Sequence, residues 1–137
     1  MRNVSRIFID TLFVVALINR RDQYHAKANE LAARHAQAQF LITDAVLMEI
    51  GNGLARHFRP QAVEVIEQFR DSADVEIIDT SHDRFEQGLA LYKQHADKQW
   101  GFIDCLSFVA MRSTGVTDAL TFDEHFVQAG FRALMRE

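Results

Sequence analysis

Arg6–Asn19 reads RIFIDTLFVVALIN, a strand-like run and a helix-like run separated by two polar residues. Ile7, Phe8 and Ile9 are apolar and prone to strand; Leu12 to Ile18 are apolar again and long enough for a short buried helix. Between them stand Asp10 and Thr11. An unpaired carboxylate inside such a stretch would cost several kcal/mol to bury. Asp10 is therefore expected where the strand ends, as a helix cap or as part of a site.

The same alternation continues along the chain. Apolar runs of strand length occur at Val4–Ile9, Phe40–Thr43, Val75–Ile78 and Ala119–Thr121, with a weaker fifth at Phe131–Leu134. Helical signals follow each of the first four. Thr11–Asn19 reads as a short helix, and Asp22 is positioned to cap another in which Tyr24, Ala28 and Leu31 share a face. Val46, Ile50, Leu54 and Phe58 form a stripe at every fourth residue, and Gln61–Arg70 predicts a helix with Val63, Ile66 and Phe69 or Val65 facing inward. In TSHD, Thr80 and Asp83 have capping-box spacing ahead of Phe85, Leu89 and Tyr92; Ile103–Ser113 is apolar almost all round, with Gly115 placed to end it. Strands alternating with helices imply the α/β class, a parallel central sheet of four to five strands flanked by helices.

The chain has 137 residues, 48% of them hydrophobic, with eleven phenylalanines, one proline (Pro60) and no repeat or low-complexity segment, so residues 1–137 are expected to form one domain. The apolar run around Asp10 is shorter than the roughly 20 residues of a membrane span, and it lacks the uninterrupted core and cleavage pattern of a signal peptide. A cytoplasmic protein without membrane association is expected. The lone Cys105 cannot form an internal disulfide and reads as a small buried hydrophobe. A net charge of -4 argues against a general electrostatic nucleic-acid binder, and the basic pairs Arg20/Arg21, Arg56/Arg59 and Lys93/Lys98 read as solvated surface. Six histidines show no H-x-H or H-E-x-x-H spacing, so zinc is not expected, and no phosphate loop, nucleophile elbow or dinucleotide fingerprint is present.

In open parallel sheets the ligand site lies beyond the carboxyl ends of the strands. Asp10, Asp44, Asp79 and Asp123 each follow an apolar run. Singly, each reads as an N-cap or first-turn acid. Brought together, carboxylates repel and raise one another's pKa unless a cation such as Mg²⁺ or Mn²⁺ intervenes. Spacing alone does not choose which acids converge.

Four blocks do choose. IFIDTLFVVALIN (Ile7–Asn19), AVLMEIGNGL (Ala45–Leu54), DKQWGFIDCLSFVAMRSTGV (Asp97–Val116) and DALTFDEHFVQAGFRAL (Asp118–Leu134) resemble, in order, the motifs of the PIN domain family, in particular its VapC-like toxins. The resemblance spans Ile7 to Leu134 and implies a PIN-like, Rossmann-like three-layer fold. It carries the family's acidic centre onto Asp10, Glu49, Asp104 and Asp123, and returns Asp44 and Asp79 to capping. Asp97 recurs in one branch of the family and is a second-tier site residue. Thr11, Ser107 and Thr121 could supply hydroxyls near a metal, or else cap or back-bond to their own helices. The pattern departs at Leu12, where the family commonly has a small polar residue.

What the resemblance implies is metal-dependent hydrolysis of an RNA phosphodiester by the toxin of a type II toxin–antitoxin pair. Asp10, Asp104 and Asp123 would hold Mg²⁺ or Mn²⁺, and Glu49 would position ligands or act as base. It further implies a homodimer, a small antitoxin whose C-terminal segment covers the acidic groove, and a structured tRNA or rRNA loop as target. Alternatives are a nonenzymatic PIN-like RNA-binding module, a housekeeping PIN nuclease without antitoxin, and a phospho-acceptor receiver domain. The last needs an early acid pair and a later lysine that the sequence lacks. Gly51 and Gly53 suggest close packing around Glu49. Trp100 and Phe102 could stack a base, but read better as anchors of their loop on the core.

Overall fold

The computed structural model describes residues 5–137. Its strands are β1 (Arg6–Ile9), β2 (Gln39–Thr43), β3 (Val75–Ile78), β4 (Asp118–Leu120) and β5 (Arg132–Ala133), all parallel in the order β3-β2-β1-β4-β5. The central strands must be apolar on both sides because helices cover both faces of such a sheet. Phe8, Leu41, Ile42 and Ala119 are accordingly fully buried. The helices are α1 (Thr11–Ile18), α2 (His25–Arg34), α3 (Asp44–Leu54), α4 (Arg59–Asp71), α5 (His82–Gln94), α6 (Phe102–Thr114) and α7 (Glu124–Gln128). The α/β class is as expected. Val4 of the first expected strand lies outside the described residues. Thr121 falls just past β4, and β5 is only two residues long because a 3-10 turn begins at Leu134.

Several details differ from the sequence reading, each for a local reason. α3 ends at Leu54, so Phe58 leaves its stripe and instead precedes α4, where Pro60 sits in the first turn and forfeits no helical hydrogen bond. Asp22 accepts from the Tyr24 amide at 2.8 Å, shaping the turn before α2 rather than capping it. The cap of α5 is Ser81, whose hydroxyl accepts from the Arg84 amide. Thr80 lies one residue before the cap position, and its hydroxyl and amide instead donate to Asp44, at 2.7 and 2.9 Å. Asp44 is the first-turn acid of α3, one of its two expected readings, with Thr43 as the cap; Asp79 is neither, and pairs with Arg84.

Phe85 and Tyr92, which repeat at helical spacing, are about half exposed, as is Val63 on α4, which was expected to face inward. The buried face of α5 is instead Gly88 and Leu91. There α5 approaches α6 so closely that a Cβ on Gly88 would lie 2.7 Å from a Leu106 methyl. Phe85 and Tyr92 lie along this seam against Phe102, with ring centroids 5.1 and 5.6 Å apart. Gly51 and Gly53 do not mark such an approach: a Cβ would meet its nearest neighbour at ordinary contact, 3.8 and 4.0 Å. α6 ends as expected at Gly115, in the left-handed region with φ of 72°. Among the described residues no helix is long and apolar enough to cross a membrane.

The strand order reverses direction at β1, whose neighbours are β2 on one side and β4 on the other. The loops leaving β1 and β4 therefore diverge and leave a crevice at the carboxyl edge of the sheet.

Candidate active site

The register of β1 against β4 builds the centre of the site. Ile9 lies opposite Leu120, so the next residues, Asp10 and Thr121, meet just beyond the sheet. The Asp10 amide donates to the Leu120 carbonyl at 3.3 Å, and the Thr121 hydroxyl donates to the Asp10 carboxylate at 2.8 Å. Asp10 occupies the N-cap position of α1 but its side chain makes no capping bond. The capping reading of Asp10 thus fails, and its carboxylate is aimed across the sheet at β4.

Burial dominates the chemistry of Asp10, which is only 5% exposed. Desolvation pushes its pKa up to about 7; the Thr121 hydroxyl counters this, while the charges of Asp104, Glu49 and Asp123 add to it. All four acids of the expected centre are therefore near enough to interact. Glu49, on the flank of α3, accepts a short hydrogen bond from Thr11, the residue after Asp10. The first turn of α1 thereby joins Asp10 to Glu49.

Asp104 and Asp123 stand at the starts of α6 and α7 and do serve those helices. Asp104 accepts from the Gly101 amide at 3.0 Å, and Asp123 from the His125 amide at 2.9 Å. Burial raises the pKa of Asp104, an effect opposed by Gly101 and His125 and reinforced by Asp123. Thr121 ties the halves together, since its oxygen also accepts from the Asp123 amide at 3.1 Å. Stacking of Tyr24 on Phe122, with centroids 3.8 Å apart, holds the intervening segment down.

Other expectations separate cleanly. Asp97 is not drawn into the cluster: it sits on the exposed turn after α5, its side chain 71% exposed, and pairs with Lys98. The Ser107 hydroxyl donates to the Ile103 carbonyl, the back-bonding alternative. Trp100 is buried and its indole N–H donates to Gln128 at 3.0 Å, which anchors the loop before α6. Cys105 is buried, with its thiol pushed up to about 11 by burial and by Asp104, unfit as a nucleophile at neutral pH.

One residue was missed. His125 places Nδ1 3.1 Å from Asp104 Oδ2 and 3.3 Å from Asp123 Oδ1. These three residues form a group whose ligand-type atoms all lie within 4.8 Å of one another, close enough to hold a metal ion. The signal in the sequence was Asp123-Glu124-His125, an acid and an imidazole two apart, which matches no familiar metal motif.

Oxygen donors from four acids, two of them disfavoured as anions by burial, suit a hard divalent cation, which would offset the charge they share. Comparison with known proteins agrees with the architecture. The PIN domain model matches residues 7–132. The 23S rRNA-specific endonuclease VapC20 of Mycobacterium tuberculosis is 32% identical over 125 residues, covering 91% of this chain and 95% of that protein. The crystal structure of M. tuberculosis VapC20, described as a sarcin-ricin loop cleaving toxin, superposes with a TM-score of 0.82 at 31% identity, over 91% of this chain and 95% of that one. VapBC2 from Rickettsia felis, solved bound to a DNA fragment from its promoter, shares the fold alone, with a TM-score of 0.63 at 20% identity over 93% and 96% of the two chains. With the strand order, the acidic crevice and a match over nearly its whole length in agreement, this chain belongs to the PIN domain family.

Proposed function

We propose that this protein is a metal-dependent endoribonuclease, the toxin of a type II toxin–antitoxin pair, and that its substrate is a structured RNA loop of the rRNA or tRNA type. The observation that carries the reading is the junction of Asp10 with Thr121 at the switch point, which gathers Glu49, Asp104 and Asp123 around one buried carboxylate. Likeness to an rRNA-specific endonuclease supports the substrate class. No acid of the expected centre is missing, which weighs against a nonenzymatic module.

Asp10, Asp104 and Asp123 would hold Mg²⁺ or Mn²⁺. Such an ion, when bound, lowers the pKa of a coordinated water and offsets charge on the leaving oxygen. Thr121 fixes the orientation of Asp10, and the capping bonds of Asp104 and Asp123 fix theirs, so the carboxylates are held before substrate arrives. Glu49, less buried and held by Thr11, is free to orient or deprotonate the attacking water. We read residues 1–137 as one catalytic domain acting in the cytoplasm as a homodimer, silenced by a small antitoxin that lays a basic side chain on the acidic crevice.

The test is cleavage of purified rRNA and tRNA by the isolated protein. Activity is expected with Mg²⁺ or Mn²⁺, loss of it with EDTA, and a fall of at least 100-fold in Asp104→Asn with the fold retained by circular dichroism. Cleavage that survives EDTA, or an active Asp104→Asn, overturns the proposal.

A further inference from the structure

The mechanism above leaves His125 without a task. Its ring is no bystander: Nδ1 faces Asp104 Oδ2 and Asp123 Oδ1 at 3.1 and 3.3 Å. Ligand atoms side by side on a six-coordinate ion with bonds of about 2.1 Å are separated by roughly 3 Å. Nδ1 thus already stands from each carboxylate oxygen at the spacing of neighbours in one coordination shell, and all three ligand atoms lie within 4.8 Å of one another. The arrangement is also held from both sides. Asp104 is tied to Gly101, and Asp123 grips the backbone amide of His125 itself, so the imidazole and that carboxylate move as one unit.

We infer that His125 is a direct ligand of the cation, beside Asp104 and Asp123, and that its nitrogen biases the site toward Mn²⁺ over Mg²⁺. The inference rests on the reading that this site binds a divalent cation. The selectivity follows from donor chemistry. Carboxylate, carbonyl and water oxygens suit Mg²⁺ and Mn²⁺ alike, whereas an imidazole nitrogen suits first-row transition ions and is a poor ligand for Mg²⁺. An imidazole is also neutral when it ligates, so it completes the shell without adding a further negative charge to a cluster already crowded with carboxylates. A purely structural histidine, hydrogen-bonded to Asp104 and lying beside Asp123, would have no such preference.

The experiment uses the full chain with MnCl₂ and MgCl₂ as probes. Calorimetric titration is expected to give at least tenfold tighter binding of Mn²⁺ than of Mg²⁺. His125→Ala should shrink that ratio at least fivefold, mainly by weakening Mn²⁺, and His125→Asp should restore tight binding with the two ions nearly equal. Pulsed electron paramagnetic resonance of the Mn²⁺-loaded wild type should show ¹⁴N coupling from a directly bound imidazole; this needs no variant to fold. Absence of that coupling in a protein that binds Mn²⁺, or an unchanged ratio in folded His125→Ala, overturns the inference and leaves the nuclease reading standing. Binding of neither ion by the wild type overturns both.

Discussion

Asp10 stands at a helix N-cap and does not cap. Its carboxylate spends its hydrogen bond on Thr121, 111 residues further along, and its charge is left against three other acids. The cost of that placement has a definite pH signature. With a native pKa near 7 and an ordinary value near 3.8, the folded protein holds a proton between those limits that the unfolded chain has lost. Stability without metal therefore falls as pH rises from about 4 to about 7, and the full penalty, as much as ~4 kcal/mol, stands above that range. Asp10→Asn keeps an acceptor for Thr121 and removes the charge. In chelator, its melting temperature is expected to exceed that of the wild type by several degrees at pH 8 and to converge with it near pH 4; parallel curves at both pH values would refute the assignment. That Asp10 ends its strand was legible, because a charge in an apolar run has few other places to go. Its partner was not, since Thr121 meets it only through the register of β1 on β4. The role of His125 was hidden for a related reason: Asp123 is its neighbour in sequence, but Asp104 meets it only where α6 and α7 pack together.

Two glycines, alike in sequence, are opposite in the folded helices. Gly51 in α3 would bring a Cβ no closer than 3.8 Å to Ile66, so Gly51→Ala is expected to raise stability by up to ~1 kcal/mol through helix propensity alone. Gly88 in α5 has Leu106 at 2.7 Å from the same hypothetical atom, so Gly88→Val should cost about 1–3 kcal/mol, with part recovered in Gly88→Val/Leu106→Ala. Urea unfolding of the four proteins checks both signs. The sequence reading assigned close packing to Gly51 and said nothing of Gly88, because the contact across α5 and α6 is tertiary. Helix existence was legible throughout, since apolar spacing declares it. Caps were less so: Thr80 and Ser81 carry the same hydroxyl chemistry, and the start of α5 at His82 gives the role to Ser81 while Thr80 turns to Asp44.

At the scale of the molecule, the α/β class could be read from alternation, whereas the order β3-β2-β1-β4-β5 could not, because parallel neighbours are chosen by packing far apart in the chain. That order makes the site a seam between the β1 and β4 halves. A ligand on the seam should stabilise the whole sheet rather than one loop. On the proposed metal function, Mn²⁺ at 100 times its Kd is expected to slow exchange of the best-protected amides of β1 and β4 by about 100-fold, in step with the global gain; slowing confined to the loops around Asp104 and Asp123 would contradict this. The 3-10 turn after β5 closes the seam from outside: the Met135 amide donates to the Thr121 carbonyl and Arg136 to the Phe122 carbonyl, at 3.1 Å each. During synthesis the consequence is one of timing. Asp10 and Glu49 leave the ribosome before Asp104 and Asp123, and before Thr121, which orients Asp10, so a chain made only that far carries two of its acids without an assembled centre.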